Sequence, residues 1–364
     1  METMNRQELL LCTLWRQFLL EKGTKQEVVS ALQGLQAQFA TNPATALRIR
    51  TADFSQASWT QGLIKIWSHR GTIHVVGQGE VGLFLSARGQ RQPWTDAPWG
   101  LSAKEKVHWA MFIRQQVELG TTQREALKQV CRQAGMGQPL VEKVFYGWGG
   151  LIKEMCDRGW IAYQSGTEKS FVLPQVEWME TEQARHILLE RYFQTYGPAT
   201  WADCAWFTGW KMAEIRRLAT DLPLAAVECQ GKVYYYLGEL EAKGKLPTCL
   251  FLAGFDQLVL GYRDRSRCLE QRDLRNVTNQ AGIVYPTILL RGRLRARWRK
   301  EPGRLIVTPF RSLSARDQAA IRAKGRRLFS GEPVECIFSR LLQMQTAERP
   351  CSGRKREASH GGGK

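Results

Sequence analysis

Two glutamines two positions apart, Gln36 and Gln38, are the first candidates for chemistry in this sequence. A single alanine separates them, and the loop-forming run Thr-Asn-Pro follows at 41–43. A glutamine amide accepts hydrogen bonds through its oxygen and donates through its NH₂ group, so two amides directed at one point could position a water molecule. On a helix, residues i and i+2 lie about 200° apart. Both side chains therefore reach one site only if the backbone leaves the helix at 36–38; otherwise they are solvated amides at a polar helix end.

A second candidate is a set of five arginines at alternate positions. The run Thr-Ile-Leu-Leu before them and the turn Arg-Gly at 291–292 predict a hairpin whose second strand alternates arginine with apolar residues. Side chains of one parity face one side of a regular strand pair, and five arginines on one surface cannot form a core. The pattern favours contact with phosphate groups, with a merely solvated face as the alternative. The five are Arg291, Arg293, Arg295, Arg297 and Arg299.

The composition predicts a polyanionic partner. The 364 residues carry a net charge of +18, and the pI is near 9.7. Residues 291–364 alone hold 19 Lys and Arg against 6 Asp and Glu. Nucleic acid is the first candidate for such a partner, and an anionic membrane surface is the second.

Other broad classes of protein are disfavoured. The nine cysteines stand singly, without a CxxC pair or a histidine at ligand spacing, so we expect neither a metal site nor a disulfide framework. No apolar run approaches the length of a membrane span, and the apolar N-terminal stretch is interrupted by charges, unlike a signal peptide. We therefore expect a cytoplasmic protein with no membrane partner.

Three helical stretches, each followed by a hairpin pattern, divide most of the chain. The first includes a predicted helix at Ser58–Trp67, the second has helices at Thr122–Ala134 and Gln138–Lys153, and the third opens with Ala184–Tyr196. We interpret this order as tandem winged-helix (helix-turn-helix) domains in a mainly α protein with β structure (α+β), plus a small C-terminal β-rich unit. The predicted domains are 1–95, 96–178, 179–245 and 246–345, followed by a disordered basic tail at 346–364.

Two further groups of residues are assigned to structure. Four of the 13 tryptophans lie at core-like positions of helices or strands, namely Trp160, Trp201, Trp206 and Trp210. Asp264 stands between two arginines and predicts an internal salt-bridge network with them. We favour packing over base stacking for the tryptophans, and a structural over a catalytic role for Asp264.

Four blocks of sequence, in this order, resemble the AlkZ/YcaQ family of winged-helix DNA glycosylases. They are Leu35-Gln36-Ala37-Gln38, Arg70-Gly71-Thr72-Ile73-His74, Gly197-Pro198-Ala199-Thr200-Trp201, and Phe255-Asp256 with the later Gly261-Tyr262-Arg263-Asp264-Arg265. That family excises bulky alkylated bases and unhooks interstrand crosslinks, and its signature is Gln-apolar-Gln or Gln-apolar-Asp. The resemblance covers residues 5–340. The Gln-Gln form is similar to the AlkZ-like branch, which tends to protect producers of genotoxic natural products.

The resemblance implies a catalytic role for both glutamines. Gln36 and Gln38 would place a water molecule beneath the anomeric carbon of an N7-alkylated purine nucleotide. The alkylated base is already cationic and leaves as a neutral molecule, so the enzyme need not protonate it. No lysine stands out for Schiff-base chemistry, so the expected reaction is monofunctional hydrolysis without a cofactor.

The resemblance also implies DNA contacts by Arg70 and by His74, the latter either touching DNA or supporting the site. Whether His74, Asp53 or Glu80 assists catalysis stays open, and each carboxylate is more simply a surface charge. The expected partner is double-stranded DNA with alkylated or crosslinked purines, bound by a monomer in an open cleft. A crosslinked base cannot be swung fully into a deep pocket.

The alternative function is a non-enzymatic winged-helix DNA-binding protein, such as a transcription regulator. It predicts a preferred DNA sequence and a two-fold dimer with defined half-site spacing. Three unlike winged helices in one chain, with no coiled-coil or ligand-domain signal, favour the enzyme.

Overall fold

The computed structural model describes residues 1–89, 93–97, 99–147, 149–166, 168–240 and 244–340. Helices and strands alternate along these residues, which confirms the predicted α+β class. The predicted disordered tail at 346–364 lies outside the described residues. Among the described helices, none is both long and apolar enough to cross a lipid bilayer.

The first section of the chain surrounds the two glutamines with helices and a hairpin. Its elements are β1 (Glu2–Thr3), α1 (Arg6–Arg16), α2 (Lys25–Ala31), β2 (Leu35–Gln36), α3 (Thr41–Arg50), β3 (Leu63–Trp67), β4 (Ile73–Gly77) and α4 (Val81–Ala87). The predicted helix at Ser58–Trp67 is wrong: residues 56–62 form turns, and β3 pairs antiparallel with β4. A short apolar run fits helical and strand periodicity equally well, and the pairing with β4 decides for the strand.

The second section is mainly helical. Its elements are α5 (Ala103–Glu118), α6 (Arg124–Gln133), α7 (Gln138–Val144), α8 (Gly150–Asp157), β5 (Ala162–Gln164) and β6 (Phe171–Val172). The predicted helix at Thr122–Ala134 is confirmed as α6, whereas the one predicted at Gln138–Lys153 is divided into α7 and α8. Glycines at 147, 149 and 150 explain the division, because glycine is among the weakest helix formers.

The third section follows the predicted pattern closely. Its elements are α9 (Thr181–Thr195), α10 (Trp201–Thr208), α11 (Met212–Leu218), β7 (Ala225–Cys229) and β8 (Lys232–Tyr236). Thr200 caps α10 because its side chain accepts a hydrogen bond from the backbone N–H of Asp203, whose carboxylate accepts one from the N–H of Thr200. The helix predicted at Ala184–Tyr196 corresponds to α9, and the predicted hairpin corresponds to β7 and β8.

The C-terminal section contains a five-stranded sheet and a long basic helix, as predicted for a β-rich unit. Its elements are β9 (Cys249–Leu252), α12 (Gln257–Leu260), α13 (Leu274–Val277), β10 (Thr287–Leu290), β11 (Arg293–Glu301), β12 (Arg304–Pro309), α14 (Ala315–Leu328) and β13 (Glu335–Phe338). The strands lie in the order β13-β12-β11-β10-β9.

Two sheets join strands from distant parts of the chain. The order β2-β4-β3-β5-β6 places the hairpins of the first and second sections in one sheet, in which Ile64 pairs with Gln164. In the order β1-β7-β8, Glu2 pairs with Val227 in a parallel arrangement, so β1 extends the hairpin of the third section. The predicted boundary between residues 95 and 96 would divide the first of these sheets, and the domain division stays a prediction.

Candidate active site

The backbone at Gln36 and Gln38 is not helical. Gln36 ends β2 and pairs with His74 of β4, the N–H of Ala37 donates to the Ile73 carbonyl at 2.9 Å, and Gln38 lies in a bend. The geometric condition that the sequence set for a joint role of the two glutamines is therefore met.

A glycine makes this strand entry possible. Gly34 links α2 to β2 with a φ of +87°, and a Cβ there would lie 2.9 Å from the Val76 side chain. Its N–H donates to the Val29 carbonyl at 2.8 Å, which ends the helix. The chain can thus turn directly from α2 onto the edge of β4.

The two amides differ in exposure. Gln36 is 7% exposed, and its Oε1 is a buried acceptor without a hydrogen-bond partner within the described chain. Gln38 is half-buried. An unsatisfied buried acceptor destabilises the protein by roughly 1–3 kcal/mol. Oε1 of Gln36 is therefore a hydrogen-bond acceptor that the fold leaves free for water or a ligand.

Helix α3 begins directly after the glutamines. The run Thr-Asn-Pro, predicted as a loop, forms its first turn instead, where proline is tolerated because the first helical N–H groups have no partner within the helix. The side chain of Asn42 lies against Gly254, where a Cβ would come within 2.8 Å of Oδ1. Its Nδ2 has no hydrogen-bond partner within the described residues. Asn42 thus adds a free donor that the sequence did not suggest.

A buried ion pair holds the segment next to Asn42. Arg50 donates two hydrogen bonds to the carboxylate of Asp256, at 3.0 and 2.7 Å, and both side chains are almost fully buried. That carboxylate also accepts from the N–H groups of Ala253 and Leu258. Asp256 is fully occupied in bracing the chain around Phe255, so it is a structural residue.

Two phenylalanines meet beside Gln38. The ring centroids of Phe39 and Phe255 are 5.9 Å apart, and Phe39 is 47% exposed although it directly follows Gln38 in the chain. Phe255 has a φ of +54°, a backbone conformation uncommon for residues other than glycine. An exposed aromatic ring in this position is available to a flat, apolar ligand.

The histidines near the glutamines are buried and neutral. His74 is 2% exposed, and burial lowers its pKa to about 4. Its Nδ1 lies 2.9 Å from the Ser68 hydroxyl oxygen and 3.1 Å from the Thr72 carbonyl oxygen, and these contacts fix the orientation of the ring. Burial, together with the nearby His74 and Arg70, holds the pKa of His69 well below its usual range. Of the two roles that the sequence left open for His74, only support of the site is compatible with this burial.

The two carboxylates left open by the sequence lie away from Gln38. Asp53 follows the far end of α3, and a ten-residue helix is about 15 Å long. Glu80 follows the far end of β4, where its carboxylate binds the Ser30 hydroxyl at 2.8 Å and pairs with Arg191. Glu80 is thus an ion-paired residue rather than the surface charge expected, and neither carboxylate is brought to the glutamines.

Arg70 lies at the same end of β4 as Gln38. It occupies the hairpin turn between β3 and β4 with a φ of +52° and donates to the Trp206 carbonyl at 3.2 Å. Its guanidinium lies 5.8 Å from the Trp206 ring, and that of Arg265 lies 5.6 Å from the same ring. Trp206 is 42% exposed, so its assignment to the core is wrong. We refer to Arg70, Trp206 and Arg265 as the Trp206 cluster.

Arg293, Arg295, Arg297 and Arg299 alternate along β11 with the buried Leu294, Ala296 and Trp298, whereas Arg291 lies in the turn before the strand with a φ of +44°. Each arginine also has a partner in the chain. Arg291 pairs with Asp317, Arg293 with the Ser266 carbonyl, Arg295 with Glu270, Arg297 with the carbonyls of Arg275 and Asn276, and Arg299 with Glu301. Their contact with phosphate stays a prediction.

Arg299, one of these arginines, shares a cleft with residues 40–42, which follow the two glutamines. A cleft of about 1080 Å³ separates the start of α3 from the β11–β12 hairpin, with Asn42 and Arg48 on one side and Arg299 and Lys300 on the other. The other arginines of the set are not among the residues that line it. Gln36, Gln38 and Arg70 thus lie at one end of the β2–β4 pairing. Asn42 leads from there to the cleft, in which Glu301 and Glu332 pair with the three cationic side chains.

The chemistry available at this site is that of neutral hydrogen-bonding groups. The amide oxygens can orient a water molecule, and the adjacent histidine cannot accept a proton efficiently at neutral pH with a pKa of about 4. A site of this type suits a substrate whose leaving group is already activated.

Comparison with known proteins identifies relatives over nearly the whole chain. The family described as DNA glycosylase AlkZ-like matches residues 29–330. An interstrand DNA cross-link repair glycosylase of Streptomyces sahachiroi is 25% identical over 328 residues, which cover 81% of this chain and 88% of that protein. The solved structure of the Streptomyces sahachiroi DNA glycosylase AlkZ has a TM-score of 0.75 at 23% identity and covers 92% of this chain and 100% of its own. The structural likeness establishes a common fold.

Proposed function

The chain belongs to the AlkZ-like DNA glycosylases and is a DNA glycosylase, and we propose that it hydrolyses the N-glycosidic bond of N7-alkylated purines. Its substrates would include bulky adducts and DNA interstrand crosslinks, as the name of its Streptomyces sahachiroi relative suggests. Protection of a cell that produces a DNA-alkylating natural product would be the biological use. Membership in an enzyme family removes the reason to prefer a transcription regulator.

The observation that supports this proposal most directly is the pair of amides on non-helical backbone. Oε1 of Gln36 is buried and unpartnered, and Gln38 is half-buried two residues further along the chain. In the proposed reaction both oxygens accept hydrogen bonds from one water molecule and orient its lone pair toward C1′ of the damaged nucleotide. Alignment of this kind contributes much of the rate in reactions that need little chemical activation.

The proposed bond changes require no protein acid. The water oxygen forms a bond to C1′ while the C1′–N9 bond breaks. The electron pair of the C1′–N9 bond passes to the purine and cancels the positive charge of the N7-alkylated ring. The attacking water releases one proton to solvent. Amide oxygens stabilise the oxocarbenium character at C1′ by their dipoles and need not titrate.

The residues around the two glutamines suit a substrate that is bound as part of a DNA duplex. The Trp206 cluster places two guanidinium groups and an exposed ring beside the hairpin turn, and Arg299 and Lys300 line the adjacent cleft. Phosphate contacts by such groups fix the position of a duplex without reading its sequence. The half-exposed positions of Gln38 and Phe39 suit a substrate that is not withdrawn into a deep pocket.

The test is release of 7-methylguanine from an end-labelled duplex, scored as strand cleavage after hot alkali, with a crosslinked duplex as second substrate. We expect Gln36→Ala and Gln38→Ala each to lower the rate at least tenfold with duplex binding retained. Gln115→Ala, an exposed glutamine on α5, serves as the matched control and keeps the wild-type rate. Failure of the wild-type enzyme on both substrates would overturn the N7-purine proposal, and wild-type rates in both variants would overturn the role of the amides.

A further inference from the structure

Four arginines surround a second cleft, at the opposite end of the C-terminal sheet. The cleft has a volume of about 460 Å³ and lies between the start of α1 and the turn that joins β10 to β11. No carboxylate lies among its lining residues. The four arginines are Arg6, Arg267, Arg291 and Arg293.

Arg267 is the buried member of this group. It is 3% exposed, and its guanidinium lies 3.5 Å from the centre of the Tyr262 ring. Nη1 donates to the Thr13 hydroxyl at 2.8 Å, whereas Nε is buried without a partner. The nearest carboxylate oxygen with which it pairs, on Asp203, is 3.9 Å away. The fold therefore holds a positive charge in place and leaves one of its donors unused.

The other three arginines leave charge uncompensated as well. No ion pair of the described chain includes Arg6, whose Nε is buried and unpartnered. Arg293 donates one hydrogen bond to the Ser266 carbonyl, and Arg291 pairs with Asp317 at 2.5 Å. Asp203 and Asp317 are the carboxylates that pair with these four guanidinium groups, and Glu270 adds an attraction on Arg293. Positive charge remains in excess, and an anion would reduce the repulsion.

The backbone of Arg291 is also unusual. Arg291 and Gly292 form the hairpin turn with φ values of +44° and +81°. Turns of this kind favour Asn, Asp or Gly at the first position. This conformation is unfavourable for arginine, and it places the Arg291 side chain in the lining of the cleft.

The arginine cleft is separate from the glutamine site. Cys249 pairs with Leu290, next to the arginine turn, whereas Leu252 lies at the other end of β9, before the Gly254–Phe255 segment that contacts Asn42 and Phe39. A strand advances about 3.3 Å per residue, so β9 alone separates the two regions by roughly 10 Å. None of Gln36, Gln38, Phe39, Asn42 and Arg70 is among the residues that line the arginine cleft.

We propose that this cleft is a phosphate-binding site distinct from the site of base excision. Guanidinium groups bind phosphate oxygens in pairs of parallel hydrogen bonds, and four guanidinium-bearing residues line this cleft. The volume admits a phosphate together with the sugar attached to it. The phosphate belongs either to the backbone of bound DNA or to a free phosphorylated molecule. The proposal does not depend on the excision chemistry.

The experiment uses the whole protein and two substitutions that remove charge from the cleft wall, Arg6→Gln and Arg293→Gln. Arg132→Gln, an exposed arginine on α6 that does not line the cleft, is the control for loss of one charge. The first arm measures the thermal midpoint with pyrophosphate at constant ionic strength. We expect a rise of about 2–4 °C for the wild type and the control at saturation, and no rise for the cleft variants.

The second arm measures affinity for an undamaged duplex without terminal phosphates, at several salt concentrations. If the phosphate is that of DNA, the cleft variants bind roughly fivefold more weakly than the control, and the slope of log K against log salt falls by about one. Pyrophosphate stabilisation without this change assigns the cleft to a free phosphorylated molecule. A change in DNA binding alone assigns it to the DNA backbone. If the cleft variants match Arg132→Gln in both arms, the proposal is overturned, whatever the excision activity.

Discussion

Arg50 and Asp256 form a two-point ion pair, at 3.0 and 2.7 Å, between the helix that follows the catalytic glutamine candidates and the segment that faces them. Arg50 ends α3, and Asp256 caps α12. The pair is buried on both sides, so its geometry fixes how the first section of the chain meets the C-terminal section.

Loss of one partner in this pair should destabilise the protein strongly. We expect Asp256→Asn to lower the free energy of unfolding by about 3 kcal/mol, because it leaves the Arg50 guanidinium buried without its counter-charge. Urea denaturation measures the change. Glu182→Gln removes an exposed partner of Arg217 and should leave the midpoint unchanged. Equal effects of the two substitutions would contradict the structural role of Asp256.

Stability should fall on mild acidification because of His74. Burial lowers the pKa of His74 to about 4, whereas in the unfolded chain it is about 6.5. Between these values the unfolded state binds the extra proton, so its free energy drops relative to the folded state as pH falls. The contribution amounts to about 2 kcal/mol between pH 7 and pH 5.

The measurement is urea denaturation at pH 7 and pH 5 for the wild type and for His74→Gln. We expect the wild type to lose about 2 kcal/mol more than the variant over this interval. His69 is present in both proteins, and burial, the largest cause of its lowered pKa, is the same in both, so most of its contribution drops out of the difference. The same pH dependence in both proteins would show that His74 is not buried as a neutral group.

The Trp206 cluster should contribute to DNA binding. We expect Trp206→Ala to weaken binding of an undamaged duplex by about five- to thirtyfold, since base stacking on an exposed ring and cation–π contacts each contribute on this scale. Met212→Ala removes a similarly exposed apolar side chain from the adjacent α11 and provides the control. Fluorescence anisotropy with a labelled duplex gives both affinities. Unchanged affinity in Trp206→Ala would return this residue to a packing role.

Phe39 should affect excision more than folding. Its ring is 47% exposed beside Gln38, and we expect Phe39→Ala to reduce the single-turnover excision rate by roughly tenfold through loss of base stacking. The thermal midpoint should change little. Leu119→Ala, at an exposed position on the surface of the second section, controls for removal of an apolar side chain. A large loss of stability with a normal rate per folded molecule would instead identify Phe39 as part of the Phe255 packing.

Local signals predicted the structure where neighbours in sequence decide it. In the third section, the helix expected at Ala184–Tyr196 is present as α9, and the hairpin expected after the helices is present as β7 and β8. The spacing of Gln36 and Gln38 set only a condition for a joint role, namely non-helical backbone at 36–38, and the structure meets it. Their catalytic role is still a prediction that the excision assay must test.

Features that depend on distant partners escaped sequence reasoning. The strand at Leu63–Trp67 becomes a strand through β4 and β5, and no local pattern distinguishes it from a helix. Asp264 pairs with Lys232, at 2.6 Å, rather than with the arginines beside it in the chain. Trp206 has core-like spacing on α10 but is exposed beside Arg70 and Arg265, which come from other segments.

The parallel pairing of β1 with β7 has a consequence for synthesis on the ribosome. Glu2 and Thr3 find their partners only at Val227 and Glu228. At about 5–20 residues per second, translation of that interval takes roughly 10–45 s, and during this time the first strand has no place in any sheet. A fusion partner attached just before Glu2 would fold next to β1 while this strand is still unpaired. We therefore expect N-terminal fusions to hinder maturation of the third section more than C-terminal ones.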